Sequence, residues 1–320
     1  MLLSHFHACG QIAGVATEEQ KRRIFAEVVE GSKRIATIGS EVNVQVNPAS
    51  EDSIGLESTG TAVNEDLVVS GFKGFTSTAA YADYIVYWHL QEGSRDPSSG
   101  TIFSLVPRNR EGIEFLPGWE HAMGIRSSAS GPAKFSDVVI RHDEVLGEPG
   151  AWVQHHPYTH EILYAAVLTG IARECYEQVR LAVHPRKDMW RDRVVMDMLG
   201  SMSSEVQAAE WGLERAAEMW ERAATFEEYG EAHHATIRTL HIAKRAAIEV
   251  TTRAFELVGT RAVTRKAPFE RFWRDARVAS LHNREWQHME WVARGDLTGY
   301  RFSKEKYGDC LDPAHAAPAE

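Results

Sequence analysis

The sequence has few cysteines and no long apolar run, and each absence excludes a class of protein. Three cysteines, Cys9, Cys175 and Cys310, are widely spaced among 320 residues. An odd, scattered set does not form a disulfide framework and indicates reduced thiols, as expected of a cytoplasmic protein. No apolar run approaches the ~20 residues of a membrane-spanning helix, so we expect no membrane partner. Residues 1–15 also lack the basic and apolar regions of a secretory signal.

Positive charge and phosphate-binding glycine motifs are missing as well. The formal net charge of −10 at pH 7 argues against a protein that binds nucleic acid. No Gly-x-Gly-x-x-Gly follows a predicted strand, and the chain contains no Walker loop and no Gly-x-Ser-x-Gly turn. Nicotinamide and nucleoside-triphosphate sites and a serine-hydrolase elbow are therefore unsupported.

Fifteen histidines raise the question of a metal site, but their spacing does not support one. Three of them crowd into residues 155–160, where Pro157 disrupts helical geometry. His233 and His234 are adjacent and would point in different directions on a helix. We therefore expect no bound metal.

The local patterns predict an α+β protein with four segments. Residues 1–36 are predicted to be helical, and Thr17 with Gln20 fits a capping box. Residues 37–148 contain short β runs between glycine- and proline-rich clusters, which predicts a middle antiparallel domain of the barrel or sandwich type. Its predicted strands are Val42–Val46, Leu67–Val69, Tyr84–Trp88, Thr101–Val106 and Lys134–Ile140. Residues 149–308 are predicted to be a helical bundle, and residues 309–320 a disordered tail.

Apolar stripes at helical spacing predict three long helices in the bundle. The first stripe consists of Leu163, Val167, Ile171, Cys175, Val179 and Ala182. The second consists of Val195, Met198, Met202, Val206, Ala209, Leu213, Ala217 and Trp220. The third consists of Leu240, Ala243, Ala247, Val250, Ala254 and Leu257. A fourth helix is predicted to begin near Pro268, because proline suits a first helical turn.

One glycine- and aromatic-rich stretch, residues 71–88, carries a candidate binding site. A short β run, Leu67–Ser70, is predicted to end at Gly71, and a second strand covers Tyr84–Trp88. Between them, Phe75 is followed by two small hydroxyl residues. A flat aromatic ring beside hydroxyls and backbone amides at a strand end can hold the edge of a planar heterocycle. The structural alternative is a hairpin with Phe75 in its core.

A second stretch, PFERFWRDARVASLHN (residues 268–283), combines three arginines with a histidine. The arginines and Asp275 are predicted to share an amphipathic helix, whose simplest role is to pair charges on its wet face. His282 falls at the predicted end of that helix. A lone histidine is commonly structural, but it can also act as a proton donor near neutral pH.

Taken together, these segments resemble the acyl-CoA dehydrogenase superfamily, and more closely its reduced-flavin-dependent monooxygenase branch, which includes the dibenzothiophene monooxygenases. The similarity rests on the order and spacing of short motifs over most of the chain. They are Lys73–Ser77, Ala82-Asp83, Trp119, Met123-Gly124, Ser130-Gly131, Lys134–Ile140, Phe255–Gly259, Arg271–Arg277, His282 and Trp286–Gly299.

The resemblance implies a flavoprotein oxidoreductase that receives reduced FMN, or alternatively FAD, from a flavin reductase and oxygenates a small organic substrate. It also implies a homotetramer assembled through the bundle. The residues implied to contact the isoalloxazine and ribityl chain are Phe75, Thr76, Ser77, Trp119 and Ser130. The arginines implied to bind the flavin phosphate, across a subunit boundary, are Arg186 and Arg261. The residues implied to line the oxygen and substrate side are Asn43, Ser77, His282 and His7.

Two departures from the family pattern leave alternatives open. Family members carry a longer N-terminal helical domain, of which residues 1–36 resemble only the end. A truncated, non-catalytic subunit of a hetero-oligomer is therefore one alternative. The dehydrogenases commonly place a glutamate base after the arginine-rich helix, where this chain has Leu281-His282-Asn283. Some dehydrogenases carry their base elsewhere, so an acyl-CoA dehydrogenase is the other alternative.

Overall fold

The structure is a computed structural model that describes residues 2–41, 56–94, 97–151, 160–282 and 285–299. The chain divides into two compact units. The first comprises residues 1–122 and 126–157, and the second comprises residues 123–125 and 158–320. We call them the sheet unit and the helical unit.

Two helices open the sheet unit, α1 (Leu2–Val15) and α2 (Glu18–Val29). The predicted capping box is confirmed, because Gln20 N–H donates to the Thr17 side chain while the Gln20 side chain accepts from Thr17 N–H. The two helices bury an apolar side against one face of the sheet. That layer of the core includes Ala8, Ile12, Ile24, Trp88 and Phe103.

The described strands form one eight-stranded sheet in the order β6-β7-β3-β2-β4-β5-β8, with β1 also paired to β4. The strands are β1 (Ile35–Ile38), β2 (Thr59–Val63), β3 (Asp66–Lys73), β4 (Tyr84–Gln91), β5 (Thr101–Pro107), β6 (Ile113–Phe115), β7 (Ala133–Ile140) and β8 (Val145–Leu146), and a short helix, α3 (Pro97–Gly100), precedes β5. Most pairs are antiparallel as predicted, but β4 runs parallel to both β1 and β2. Four strands match predicted β runs, and the predicted strand Val42–Val46 lies outside the described residues.

The predicted hairpin within residues 71–88 is wrong. Strand β3 pairs with β2 and β7, whereas β4 pairs with β1, β2 and β5. Strand β3 also does not end at Gly71 but continues to Lys73 after a register irregularity. The glycine serves a close approach here, because a Cβ at Gly71 would lie 2.0 Å from Ser58 Oγ.

The helical unit contains α4 (His160–Val183), α5 (Arg193–Arg222), α6 (Phe226–Val258), α7 (Phe269–Ser280) and α8 (Glu285–Thr298). The second and third predicted stripes contribute to one apolar core. The first predicted stripe does not coincide with the buried face of α4, since Val167 is 38% exposed. The fully buried row of α4 is Ala165, Leu168, Ala172, Cys175 and Val179. Apolar residues flank that row on both sides, so spacing alone did not identify its centre. In the described ranges, no helix has both the length and the apolar character needed to cross a membrane.

Two buried histidines predict a loss of stability in acid. Burial is the main cause that lowers the pKa of His89 in β4 and of His288 in α8 to about 4 in each case. The unfolded chain binds protons below its ordinary histidine pKa of ~6.5, but the folded chain resists them until about pH 4. Stability should therefore fall as pH drops through this window, by at most about 3 kcal/mol for each histidine.

Urea unfolding followed by tryptophan fluorescence at pH 7 and pH 4.5 measures this effect. His89→Gln should reduce the difference between the two pH values, because it removes one of the titrating groups. His121→Gln is the matched control, since its side chain is 85% exposed. Equal pH dependence in His89→Gln and the wild type would refute the assignment.

Candidate functional site

A loop after strand β3 presents one exposed aromatic ring among buried polar residues. Phe75 is 54% exposed, so the alternative that placed it in the core is wrong. Its neighbours Thr76 and Thr78 are 1% and 7% exposed. Buried neighbours hold the loop in place, so the exposed Phe75 ring is available to contact a ligand.

A row of hydroxyl groups lies beside this ring. Ser77 Oγ is 2.7 Å from Ser130 Oγ, which is 2.7 Å from Ser128 Oγ. The Thr76 hydroxyl and backbone N–H both donate to Gly131 O, at 2.6 and 3.1 Å. Because each hydroxyl can donate or accept, the row can adapt its protons to a polar ligand.

Trp119 lies beside this loop, on a short 3-10 helix, Trp119–His121. Its ring stands edge-on to Phe75, with centroids 6.1 Å apart and planes at 85°. The structure therefore brings together five predicted site residues, and we call them the cradle: Phe75, Thr76, Ser77, Trp119 and Ser130. Within the described ranges, the backbone N–H of Ser77 donates to no protein acceptor. A planar heterocycle with carbonyl or ring-nitrogen acceptors fits this combination of aromatic edges, an amide donor and hydroxyls.

Two strained backbone positions lie next to residues of the cradle. Thr78 and Ala129 adopt φ values of 63° and 44°, a left-handed region that non-glycine residues rarely occupy. The two positions are linked, because Thr78 N–H donates to Ser128 O at 2.7 Å. Strain of roughly 1–3 kcal/mol per residue persists where surrounding contacts enforce it, commonly at binding sites.

An ion pair lies buried at the strand end that carries the cradle. Lys73, the last residue of β3, is fully buried, and its ammonium pairs with the Glu41 carboxylate. It also donates to Trp88 O at 2.7 Å, while Glu41 accepts from Ser58 Oγ at 2.6 Å. Burial is the main cause that lowers the pKa of Lys73 to about 8, and Glu41 opposes that shift. Sequence reasoning gave this lysine no role, although a lysine that ends a predominantly apolar strand was a usable signal.

In the helical unit, His282 lies against the first turns of α4. Its ring stacks on Tyr164 with centroids 3.8 Å apart, and it meets His160 edge-on at 5.6 Å. His160 Nε2 in turn lies 3.2 Å from Glu161 Oε1. Burial raises the pKa of Tyr164, so its phenol stays protonated and does not serve as a base. Sequence reasoning found His282 but missed His160, Glu161 and Tyr164.

The two predicted phosphate-binding arginines lie at the other end of the helical unit. Helices α4 and α6 run in the same direction. Glu161 interacts electrostatically with Lys244, and further along both helices Cys175 contacts Val250, so residue numbers increase together. Arg186 follows the C-terminal end of α4, about 30 Å along the helix from Tyr164. Arg261 follows the C-terminal end of α6, and both arginines are exposed. Within one helical unit, these arginines and His282 therefore do not come together.

The remaining predicted site residues are only partly located. His7, in α1, lies 3.2 Å from the Gln11 side chain and edge-on to Trp88. Asn43 lies outside the described residues. Among the residues that the structure describes, no cluster of histidine, cysteine and carboxylate side chains could hold a metal ion.

Comparison with known proteins identifies relatives of both units. Residues 162–284 match the family model for the acyl-CoA dehydrogenase C-terminal domain. A dibenzothiophene monooxygenase of Mycolicibacterium goodii is 29% identical over 293 residues, which are 83% of this chain and 68% of that protein. A probable FMNH2-dependent monooxygenase of Pseudomonas putida is 26% identical over 233 residues, 67% of this chain and 58% of that protein.

A solved structure extends the likeness to three dimensions. TdsC from Paenibacillus sp. A11-2, in complex with FMN and indole, has a TM-score of 0.82 and 26% identity. The match covers 95% of this chain and 80% of that chain.

Proposed function

Because the chain belongs to the acyl-CoA dehydrogenase superfamily, in its flavin-dependent monooxygenase branch, we propose that it uses reduced FMN and dioxygen to oxygenate a small organic substrate in the cytoplasm. The observation that carries this proposal is the cradle, where predicted flavin contacts from three chain segments meet at one strand end. The FMN-bound relative, which shares the fold over nearly the whole chain, supports FMN as the cofactor.

Each cradle group has a distinct proposed task. Phe75 and Trp119 would contact the isoalloxazine, while the Ser77 N–H would donate to an acceptor atom on its edge. The hydroxyls of Ser77 and Ser130 would orient the flavin and the ribityl chain. Bound flavin supplies the oxygen chemistry, and the protein supplies binding, orientation and exclusion of water.

His282 is the proposed proton donor on the oxygen and substrate side. Imidazole is the side chain whose ordinary pKa lies closest to neutral pH, so it can both hold and release a proton there. Tyr164 stacks on this imidazole and restricts its orientation.

Removing the exposed aromatic ring should weaken flavin binding. Phe75→Ala is expected to raise the dissociation constant of FMN roughly tenfold, since stacking contacts of this kind contribute about 0.5–1.5 kcal/mol beyond buried area. Fluorescence quenching of FMN on titration with protein measures it. Tyr81→Ala is the control, because Tyr81 is 68% exposed on the 3-10 helix that follows the same loop. Equal affinities in Phe75→Ala and wild type would remove Phe75 from the site.

The proposed function itself is tested with chemically supplied reduced flavin. Protein, photoreduced FMN and ¹⁸O₂ should convert dibenzothiophene, indole or a related heterocycle to a product that carries one ¹⁸O atom. NADH alone should give no product, because the sequence has no dinucleotide motif and a reductase partner is proposed. If an acyl-CoA thioester bleaches the bound oxidised flavin and no probe is oxygenated, the protein is a dehydrogenase.

The separation of the arginines from His282 supports an assembly of at least two copies of the chain, and the proposed assembly is a homotetramer. Arg186 lies about 30 Å along α4 from Tyr164, and Arg261 precedes α7, whose 12 residues span about 18 Å before His282. The two arginines would therefore bind the phosphate of a flavin whose ring lies elsewhere than beside that histidine. A second copy of the chain provides such a flavin, as expected of closed symmetric assemblies. Sedimentation equilibrium measures this state, and a folded monomer with bound FMN would contradict it.

A further inference from the structure

Charged and titratable groups from four helices lie at the end of the helical unit that carries His282. Glu161, which is 3% exposed, faces Lys244, which is 4% exposed. The charge of Lys244 also interacts with Glu285 and with His288. A charge on His282 likewise affects the pKa of His288. The groups are His160, Glu161 and Tyr164 on α4, His241 and Lys244 on α6, Arg277 on α7, and Glu285 and His288 on α8.

Most of these groups already have fixed charges or partners. Glu285 lies 2.6 Å from His241, and Lys244, Arg277 and Glu285 line one cavity of about 790 Å³. Burial and the nearby Lys244 keep His288 neutral, because they lower its pKa to about 4. His160 is the remaining imidazole in contact with His282, and it is the one that Glu161 supports.

We propose that His160, held by Glu161, is a positioning residue that controls the charge of His282, so that the two imidazoles hold one proton between them at neutral pH. Two positive charges 5.6 Å apart repel strongly enough, at an effective dielectric constant of ~20, to shift a pKa by about two units. Solvent around the exposed His282 reduces this shift. The Glu161 carboxylate favours the charged form of the pair and keeps that one proton in place.

This control rests on the proposed function, in which His282 is the proton donor. Oxygen transfer to a substrate S follows FMNH⁻ + O₂ + S + H⁺ → FMN + SO + H₂O, so each turnover consumes one proton. A pair of imidazoles that holds a single proton supplies the one proton that each turnover consumes. It also avoids a second positive charge beside the reacting atoms.

The test is a histidine NMR titration of the flavin-free protein, which needs no substrate. His282→Gln identifies the His282 resonance by its loss. His160→Gln should raise the pKa of His282 by about one unit, because it removes the competing imidazolium. Glu161→Gln should lower the pKa of His160, whose resonance is identified by its loss in His160→Gln, by a similar amount, because it removes the carboxylate 3.2 Å from His160 Nε2. His184→Gln, which is exposed beyond the opposite end of α4, should leave both pKa values unchanged.

A higher pKa of His282 in His160→Gln together with a lower pKa of His160 in Glu161→Gln would establish the coupling, whereas shifts below ~0.3 unit or of the opposite sign would overturn it. Glu161→Gln is nearly isosteric, so it keeps the test decisive if His160→Gln fails to fold. The pH profile of oxygenation is the second readout, and the alkaline limb should move with the pKa of His282 in each variant, because a proton donor acts only while it is protonated. The expected NMR shifts in a protein that oxygenates no probe would refute the proposed function while leaving the coupling intact.

Discussion

Lys73→Met is expected to lower the free energy of unfolding of the sheet unit by about 3–5 kcal/mol, since it leaves a buried carboxylate without its cation. Glu41 is only 6% exposed at its side chain, and within the described residues its one ion-pair partner is Lys73. Methionine keeps most of the volume of the lysine stem, so the loss would reflect charge rather than a cavity. Urea unfolding followed by near-ultraviolet circular dichroism measures it.

A double-mutant cycle separates the ion pair from its surroundings. Glu41→Gln keeps an oxygen that can accept from Ser58, and the double variant Lys73→Met/Glu41→Gln removes both charges. We expect the double variant to be clearly more stable than the sum of the single losses predicts. Lys134→Met is the control, because Lys134 lies exposed on β7. A Lys73→Met protein within about 1 kcal/mol of wild type would show that the pair contributes little.

The ion pair also connects stability to function. Lys73 ends the strand that leads into the Phe75 loop, while Glu41 follows β1 and accepts from the backbone N–H of Glu57 and Ser58. The same contact therefore fixes two chain segments beside the cradle. Flavin affinity is expected to fall with stability in Lys73→Met, because the exposed Phe75 ring depends on buried neighbours for its position.

The elements that the sequence predicted correctly are those determined by residues close together in the chain. The Thr17 capping box needs only two residues one turn apart. Strand β5 covers a predicted β run with one added residue. The third stripe of the bundle is buried along its whole length, as its spacing of three and four residues predicts.

The sequence could not show contacts that depend on distant segments. The parallel pairing of β1 and β2 with β4 has no local signal, and the hairpin prediction failed because turn-like residues between two β runs normally join neighbouring strands. Lys73 and Glu41 are 32 positions apart, and neither lies in a recognisable charge pattern. His160 and Glu161 belong to the first turn of α4, while His282 follows α7, so only the folded bundle places them together.

The cradle was only partly predictable from the sequence. Resemblance identified its members, and the structure brings them into contact through hydroxyl pairs and ring edges. Short-range pattern alone favoured a buried Phe75. The exposed Phe75 ring and the left-handed backbone of Thr78 both depart from the local preferences of their residue types, as expected at functional sites.

His282→Ala is expected to slow oxygen transfer by about 10²- to 10⁴-fold, the usual contribution of a positioned acid–base group. Folding and FMN affinity should stay close to wild type, because His282 is exposed and follows the end of α7. Tyr164→Phe is the matched control. It keeps the ring that stacks on His282 at 3.8 Å and removes only a hydroxyl that remains protonated. Its rate should therefore stay within a few-fold of wild type.

The measurement is single-turnover product formation from photoreduced FMN, dioxygen and whichever heterocycle probe the wild type oxygenates, with hydrogen peroxide assayed in parallel. In His282→Ala, product should fall while peroxide rises, because dioxygen is still reduced but its oxygen is no longer delivered. Exogenous imidazole should restore part of the product, since it replaces the missing proton donor in the space left by the side chain. If His282→Ala forms product as fast as wild type, the proton comes from another group and His282 is structural. A loss that also occurs in Tyr164→Phe would instead assign the effect to packing at the first turns of α4.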